Sequence, residues 1–268
     1  MSMTEAVATS GSSLVLRTDH QAVATLTLNR PAQMNALSEE LLQALQGALD
    51  AIAAEHAVRV VVIAGAGRAF CAGHDLKQMR SRPEKSYYQA LFNRCSRLML
   101  SIQRLPQPVI ARVHGLATAA GCQLVAACDL AVAAEEARFA VSGINVGLFC
   151  ATPAVALSRN IPRKQAAEML FTGELIDASR AVELGLINRV VAAAALDTEI
   201  ARLAAAICSK SPVAVRAGKE MFYRQSELGV EDAYLLASDV MAWNIMTEDA
   251  AEGIDAFIAR RPPRWRGR

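Results

Sequence analysis

The sequence predicts an α/β fold, with strands and helices mixed through its first half and helices almost alone in its second. Three observations carry this. Arg59–Ala64 is a β-branched run, the profile of a strand buried on both faces. Leu41, Leu45, Leu49 and Ile52 recur at helical spacing and give one apolar face. From about Thr152 to Ala259 successive segments keep that helical spacing around one brief strand. The 268 residues, 53% of them apolar, suffice for a sizeable core, as one large domain or one domain with a small appendage.

Taken in order, Ser13–Thr18 and Ala22–Asn29 predict two strands joined by a turn at Asp19–Gln21, and Pro31 ends the second. Ser38 is placed to cap a helix, with Glu39 and Glu40 in its first turn, where the helix dipole favours negative charge. After the strand at Arg59–Ala64, the polar stretch Met79–Lys85 leads into a helix through about Leu105. Pro108–Val113 predicts a short buried strand, Ala119–Ala127 a helix and Leu130–Ala133 a strand. Helices follow near Arg163–Phe171, Ala178–Leu184, Thr198–Ser209, Pro212–Leu228, Glu231–Met246 and Thr247–Ala259, with a strand at Ile187–Val191.

Composition excludes several classes. The formal net charge is +2 and no basic block stands out, so neither nucleic acid nor a membrane is expected as a partner. Arg260–Arg268 is basic but short and terminal, and reads as a solvated tail. The six cysteines form no C-x-x-C pair and read as reduced thiols packed as small apolar groups. Cys71 and His74 supply only two of the four ligands a zinc tetrahedron needs, so no metal site is expected. The longest apolar stretch, Leu116–Ala134, holds Gln123 and Asp129, which a membrane span would place in lipid at a cost of kilocalories. Met1–Ser12 is small and polar, contains Glu5, and precedes the first arginine, Arg17; it reads as a disordered N-terminus rather than a signal or Arg-rich transit peptide. A soluble, cytoplasmic protein is expected.

Two segments bear the marks of a ligand site. The loop Gly65-Ala66-Gly67-Arg68-Ala69-Phe70 fails the dinucleotide fingerprint, because Phe70 stands in place of the third glycine and no clean helix follows. Just beyond it, Ala72-Gly73-His74-Asp75-Leu76-Lys77 places a glycine beside polar residues after a strand, which suits close approach of backbone to a ligand. In His114–Gln123, small residues open a helix directly after a strand, so backbone N–H groups at the helix N-terminus can meet a ligand. Close helix–strand packing also favours Ala and Gly there, and composition alone favours that plainer reading.

The segments together resemble the crotonase superfamily, the enoyl-CoA hydratase/isomerase family. The likeness runs from Leu28-Asn29-Arg30-Pro31 and Asn35-Ala36-Leu37 through Gly67–Leu76, Gly115–Gly121, Cys128-Asp129-Leu130 and Ala137-Arg138-Phe139. It continues through Phe171–Glu174, Gly185–Asn188 and Val190-Val191, in the family's order and spacing over roughly Ser13 to Ile258. Asn145–Pro153, Pro162–Lys164 and Glu168–Phe171 are similar to one branch, the "enoyl-CoA hydratase domain-containing" proteins found also in mitochondria. The resemblance implies a spiral of β-β-α turns, here residues 13–195, with a helical C-terminal region, residues 196–268, used in trimer formation. It implies an acyl-CoA thioester as ligand, coenzyme A being part of the substrate and no separate cofactor being needed. The backbone N–H groups of His74 and Ala120 match the family's oxyanion hole; losing one such donor typically costs ~10²–10³ in rate. Ala32, Gln33 and Met34 match the loop beside the CoA chain, and Ala72, Asp75, Leu76 and Lys77 its nucleotide end; Gly121, Ser142 and Leu148 fall within the matching substrate segments. A homotrimer or dimer of trimers is the implied assembly.

The sequence also departs from the family. Hydratases use two glutamates to hold and activate one water; Gln123 stands at the first position and Gly143 at the second. An amide orients water but does not take its proton at neutral pH, and a positioned acid or base contributes about 10²–10⁴-fold. Hydration should therefore be slow, and the isomerase role of a carboxylate near these positions is in doubt too. Ser142, Asn145, Cys150 and Thr152 are the few nearby alternatives, each read more plainly as loop packing. Three functions stay open: an enoyl-CoA hydratase (a lyase), the nominal activity of the family; another crotonase-type reaction (isomerase, decarboxylase or thioesterase); and non-catalytic binding of acyl-CoA.

Overall fold

The structure, a computed structural model, describes residues 13–268; the disorder expected for residues 1–12 lies outside the described residues. The chain opens with an antiparallel hairpin, β1 (Val15–His20) and β2 (Val23–Leu28). The first strand runs two residues past the predicted Thr18, to His20, because Gln21 takes up the reversal with a φ of 52°, while the second is slightly shorter than predicted. After a 3₁₀ turn at Pro31–Gln33 comes α1 (Glu39–Ala53), whose first turn is capped by the Ser38 hydroxyl accepting from the Leu41 N–H at 3.3 Å.

Three turns of the same plan follow. The first is β3 (Val60–Gly65), β4 (Ala69–Cys71), α2 (Leu76–Ser81) and α3 (Lys85–Arg104). The second is β5 (Val109–Val113), β6 (Leu116–Thr118) and α4 (Ala120–Ala127). The third is β7 (Leu130–Ala134), β8 (Arg138–Ala140), a 3₁₀ turn at Ser142–Val146, α5 (Ala151–Leu157) and α6 (Arg163–Thr172). The chain then passes through β9 (Ile176–Asp177), α7 (Ala178–Leu184) and β10 (Arg189–Val191). It finishes with α8 (Leu196–Cys208), α9 (Pro212–Gln225), α10 (Val230–Ile245) and α11 (Glu248–Ile258). None of these helices is long and apolar enough to cross a membrane.

The first strand of each turn joins one sheet, ordered β1-β2-β3-β5-β7-β10 and parallel from β2 onward; the second strand joins another, ordered β4-β6-β8-β9. This is the β-β-α spiral that the resemblance implies. Leu41, Leu42, Leu45 and Leu49 of α1, with Phe70 and Phe139 of the second sheet, are fully buried in the main core. The opposite face of the first sheet buries Val60, Val62, Ile110 and Val132 against Leu196, Ile200 and Ala204 of α8. Both faces of β3 are thereby covered, which is why its sequence carries no polar alternation.

A polar knot ties α9 to this core. Lys219 is buried, and its ammonium donates to the carbonyls of Ile102 and Gln107, each at 2.9 Å, and to Asp129 at 2.6 Å. Asp129 also accepts from the Val109 N–H at 2.6 Å and the Tyr223 hydroxyl at 2.8 Å. Burial pulls the Lys219 pKa down against the pull of Asp129. At the far end, α10 buries none of its residues and leaves Tyr234, Leu235, Met241, Trp243 and Ile245 exposed.

Candidate active site

The site is assembled from two loops and one helix start. Loop 30–37 is fixed from within: Asn35, fully buried at a φ of 54°, accepts from the Arg30 N–H at 2.9 Å. Its amide donates to the carbonyls of Ala66 and Ala69, at 2.9 and 2.8 Å. Loop 72–77 is then zipped to it. The Ala72 N–H donates to the Met34 carbonyl at 3.0 Å, the Leu37 N–H to the Gly73 carbonyl at 2.7 Å, and the Asp75 N–H to the Leu37 carbonyl at 3.2 Å. The Arg30 guanidinium bridges both loops, donating to the Ala36 carbonyl at 2.6 Å and Asp75 at 3.0 Å. Asp75 also caps α2 through the N–H groups of Lys77 and Gln78. Burial raises the Asp75 carboxyl, but the Gln78 N–H and the Arg30 guanidinium outweigh it and hold the group below the usual carboxylate range. The residues expected at the CoA side, Ala32, Gln33, Met34, Ala72, Asp75, Leu76 and Lys77, thus stand on two loops in register, with Ala32, Gln33, Leu76 and Lys77 exposed.

This zipper decides where the His74 backbone points. In the parallel bridge to Leu37, the Gly73 carbonyl and the Asp75 N–H face Leu37, so the intervening His74 N–H projects to the opposite side. That side meets the start of α4. Gly73 has a φ of 89°, and a Cβ there would lie 2.9 Å from Ala119 Cβ and 3.3 Å from the Ala120 nitrogen. Ala119 precedes the helix at φ 50° and ψ −120°, a region costly for a residue with a Cβ, and provides no side-chain cap. Among the described residues neither the His74 N–H nor the Ala120 N–H donates to a protein acceptor. Two free backbone donors therefore adjoin at the positive end of a helix. Gly121 lets α4 come this close: a Cβ on it would sit 2.1 Å from the Cys71 carbonyl oxygen.

The His74 imidazole plays a different part. It packs edge-on to Phe92 with ring centroids 5.5 Å apart, and both ring nitrogens are buried without partners. Burial pulls its pKa down from 6.5 to about 4. The folded pKa lies below the unfolded one, so the unfolded chain takes the proton first. His74 costs stability as pH falls from about 6.5 to about 4, with a limit of about 3 kcal/mol. His74→Phe should remove this share, so urea midpoints of variant and parent measured at pH 7.5 and pH 4.5 should converge less steeply on acidification in the variant. An unchanged acid slope would refute the assignment.

The positions of the two expected carboxylates are both neutral. Gln123, one turn into α4, is nearly buried, and its carbonyl oxygen has no hydrogen-bond partner. It lines a groove of about 1300 Å³ together with Ala126, Asp129, and Phe222 and Tyr223 of α9. A smaller cleft of about 320 Å³ between α9 and α10 shares Arg216, Glu220 and Arg224 with it. Gly143 is the second residue of the 3₁₀ turn after β8, and its N–H donates to the Cys150 sulfur at 3.3 Å. A Cβ on Gly143 would lie 2.5 Å from the Leu148 carbonyl oxygen and 2.7 Å from the Cys150 sulfur, so a glutamate enters here only if the loop moves. The neighbouring Ser142 hydroxyl pairs with that of Thr118 at 2.7 Å. Burial raises the Cys150 thiol, leaving it protonated; Asn145 spends its amide on the Gly173 carbonyl. Among the described residues no three His, Cys, Asp or Glu side chains cluster as metal ligands. The Asn35 rivet, the Arg30 bridge and the Thr118–Ser142 pair are additions that residue type and spacing do not signal.

A sequence model of the enoyl-CoA hydratase/isomerase family matches residues 18–268, and the chain belongs to that family, within the crotonase superfamily. It is 48% identical over 251 residues to enoyl-CoA hydratase domain-containing protein 3, mitochondrial, of Xenopus laevis, covering 94% of this chain and 85% of the relative. The human protein of that name is 45% identical, covering 91% and 80%, and its solved structure superposes with a TM-score of 0.92 at 43% identity over 94% and 100% of the two chains. A solved enoyl-CoA hydratase of Mycobacterium smegmatis gives 0.93 at 59% identity over 94% and 98%. These comparisons correct the cytoplasmic expectation: the vertebrate relatives are named as mitochondrial. Charge and core composition describe how a chain folds, whereas a compartment is addressed by targeting signals that the folded core does not encode.

Proposed function

We propose that the chain binds an acyl-CoA thioester, receives its carbonyl oxygen on the His74 and Ala120 N–H groups, and stabilises the enolate that forms when the acyl α-carbon loses a proton or a nucleophile adds to the β-carbon of an enoyl group. The observation that carries this is the pair of adjoining, unspent backbone donors at the start of α4. Fixed donors of this kind stabilise developing charge without reorganising during the reaction. Coenzyme A enters as part of the substrate, along the two zipped loops. The neutral Gln123 amide and the filled space beside Gly143 favour a reaction other than rapid hydration, such as isomerisation, decarboxylation or thioester cleavage, or binding alone.

Crotonyl-CoA turnover, followed by loss of the conjugated enoyl absorbance beside a hydratase control, is expected to fall short of the control by about 10²–10⁴-fold or more. Gln123→Glu should recover part of that deficit, because it restores one carboxylate without a backbone clash. Parent activity equal to the control would overturn the argument from missing carboxylates. Failure to bind crotonyl-CoA at all would overturn the thioester reading. We further propose that α10 and α11 pack against other copies in a homotrimer or a dimer of trimers, on the strength of their exposed Trp243, Met246, Phe257 and Ile258. Light scattering should give three or six times the chain mass of 28.6 kDa, and a monomer mass would reject the assembly.

A further inference from the structure

Strands β6 and β8 run side by side and then part. Their last paired residues are Thr118 and Ala140, and the Ala119 N–H makes the final backbone bond, to the Ala140 carbonyl at 2.9 Å. Beyond it both chains leave the strand region: Ala119 at φ 50° and ψ −120°, into α4, and Val141 at φ −118° and ψ 65°, into the 3₁₀ turn that holds Gly143. At this fork the Thr118 and Ser142 hydroxyls meet at 2.7 Å, Thr118 buried and Ser142 half-buried. Serine and threonine hydroxyls commonly bond a backbone group a few residues away. Neither does so here: the turn has no side-chain cap, and the pair joins residues 24 apart in sequence. Among the described residues it is the one side-chain hydrogen bond between the two departing chains.

Resting on the thioester reading above, we infer that Thr118 and Ser142 are positioning residues, whose hydroxyl pair clamps this fork and thereby sets the Ala120 N–H against the carbonyl oxygen of a bound thioester. A residue with a Cβ keeps a backbone as strained as that of Ala119 only where its surroundings over-determine it. The bond to the Ala140 carbonyl fixes Ala119 itself, and the hydroxyl pair fixes the residue before it. Thr118 also adjoins the other loop of the site: a Cβ on Gly73 would lie 3.1 Å from the Thr118 carbonyl oxygen and 3.3 Å from the Ala120 nitrogen. A shift of Thr118 therefore changes the spacing between the Ala120 N–H and the loop that carries His74. Valine at 118 keeps the shape of threonine and loses the clamp.

The test reads the carbonyl stretch of bound crotonyl-CoA by isotope-edited difference infrared spectroscopy, beside its affinity relative to CoA alone, with the full chain in its native assembly. In the parent protein the stretch should move to lower frequency on binding, because fixed donors polarise the carbonyl. Thr118→Val and Ser142→Ala should each lose part of that displacement. Each should also lower the preference for crotonyl-CoA over CoA by about two- to tenfold, the scale of one ordinary hydrogen bond. The double variant should be no worse than either single one, because both changes break the same bond. Thr118→Ser, which keeps the hydroxyl, should hold the parental displacement. Single variants that retain the parental displacement and preference, whatever their melting temperature, would overturn this inference and leave the thioester reading standing; so would losses that add in the double variant. A parent protein that binds crotonyl-CoA with its carbonyl stretch unmoved, or does not bind it, would overturn the donor reading itself.

Discussion

Asp129→Ala should be the most destabilising single change on the polar face of the core, at about 3–5 kcal/mol. It strips the buried Lys219 ammonium of its counter-charge and leaves the Val109 N–H and the Tyr223 hydroxyl without their acceptor. The cost arises from the orphaned charge rather than from the intrinsic strength of the pair. Adding Lys219→Met should therefore return a large part of the loss, and urea midpoints of the two single variants and the double variant form the cycle that measures it. Simple additivity of the single losses would show that Asp129 and Lys219 do not act as a unit.

Gly121→Ala should have the largest effect on the site itself. The added methyl would fall 2.1 Å from the Cys71 carbonyl oxygen and 2.7 Å from its carbon, both backbone atoms that cannot swing aside. Either the first turn of α4 shifts away from β4, or the protein loses stability by more than the ~1–3 kcal/mol usual for overpacking. A shift of about 1 Å separates the Ala120 N–H from the His74 N–H, and misplacement on that scale costs about 10²-fold. Thermal melting and crotonyl-CoA titration read the two effects separately. A variant with parental melting temperature and affinity would mean that the close approach of α4 to β4 does not set the donor geometry.

The helices and the buried strands were legible because they are long enough to show a period. Leu41, Leu45, Leu49 and Ile52 mark α1 on sequence alone, and the β-branched run marks β3. The second sheet was not legible. β4, β6 and β8 are three residues each, too short for an alternation, and are built from residues such as Ala69, Cys71, Ala117 and Thr118 that also suit loops. Residues 65–70, set aside as a failed dinucleotide fingerprint, turn out to carry the chain from one sheet to the other. The plain reading of small residues in His114–Gln123, close helix–strand packing, holds at Gly121, and that same packing brings Ala120 beside Gly73. The family resemblance pointed to the His74 and Ala120 N–H groups, the two donors proposed above. It did not show that the space beside Gly143 is filled, because the filling atoms, the Leu148 carbonyl and the Cys150 sulfur, come from residues that pair with Gly143 only in three dimensions.

The neutrality of this pocket has a consequence for where the protein can work. Around His74, Ala120, Gln123 and Gly143 the titratable side chains include an imidazole that stays uncharged above about pH 4, buried thiols pushed above their ordinary 9.0, and the Asp75 carboxylate, held below its usual range beside Arg30. A ligand bound at the proposed site would then meet peptide dipoles and an Arg30–Asp75 pair whose charge does not change across the neutral range. Cellular compartments that differ in acidity by a fraction of a pH unit present such a site with the same electrostatic surroundings. The proposed chemistry would be insulated from the proton gradients that separate them.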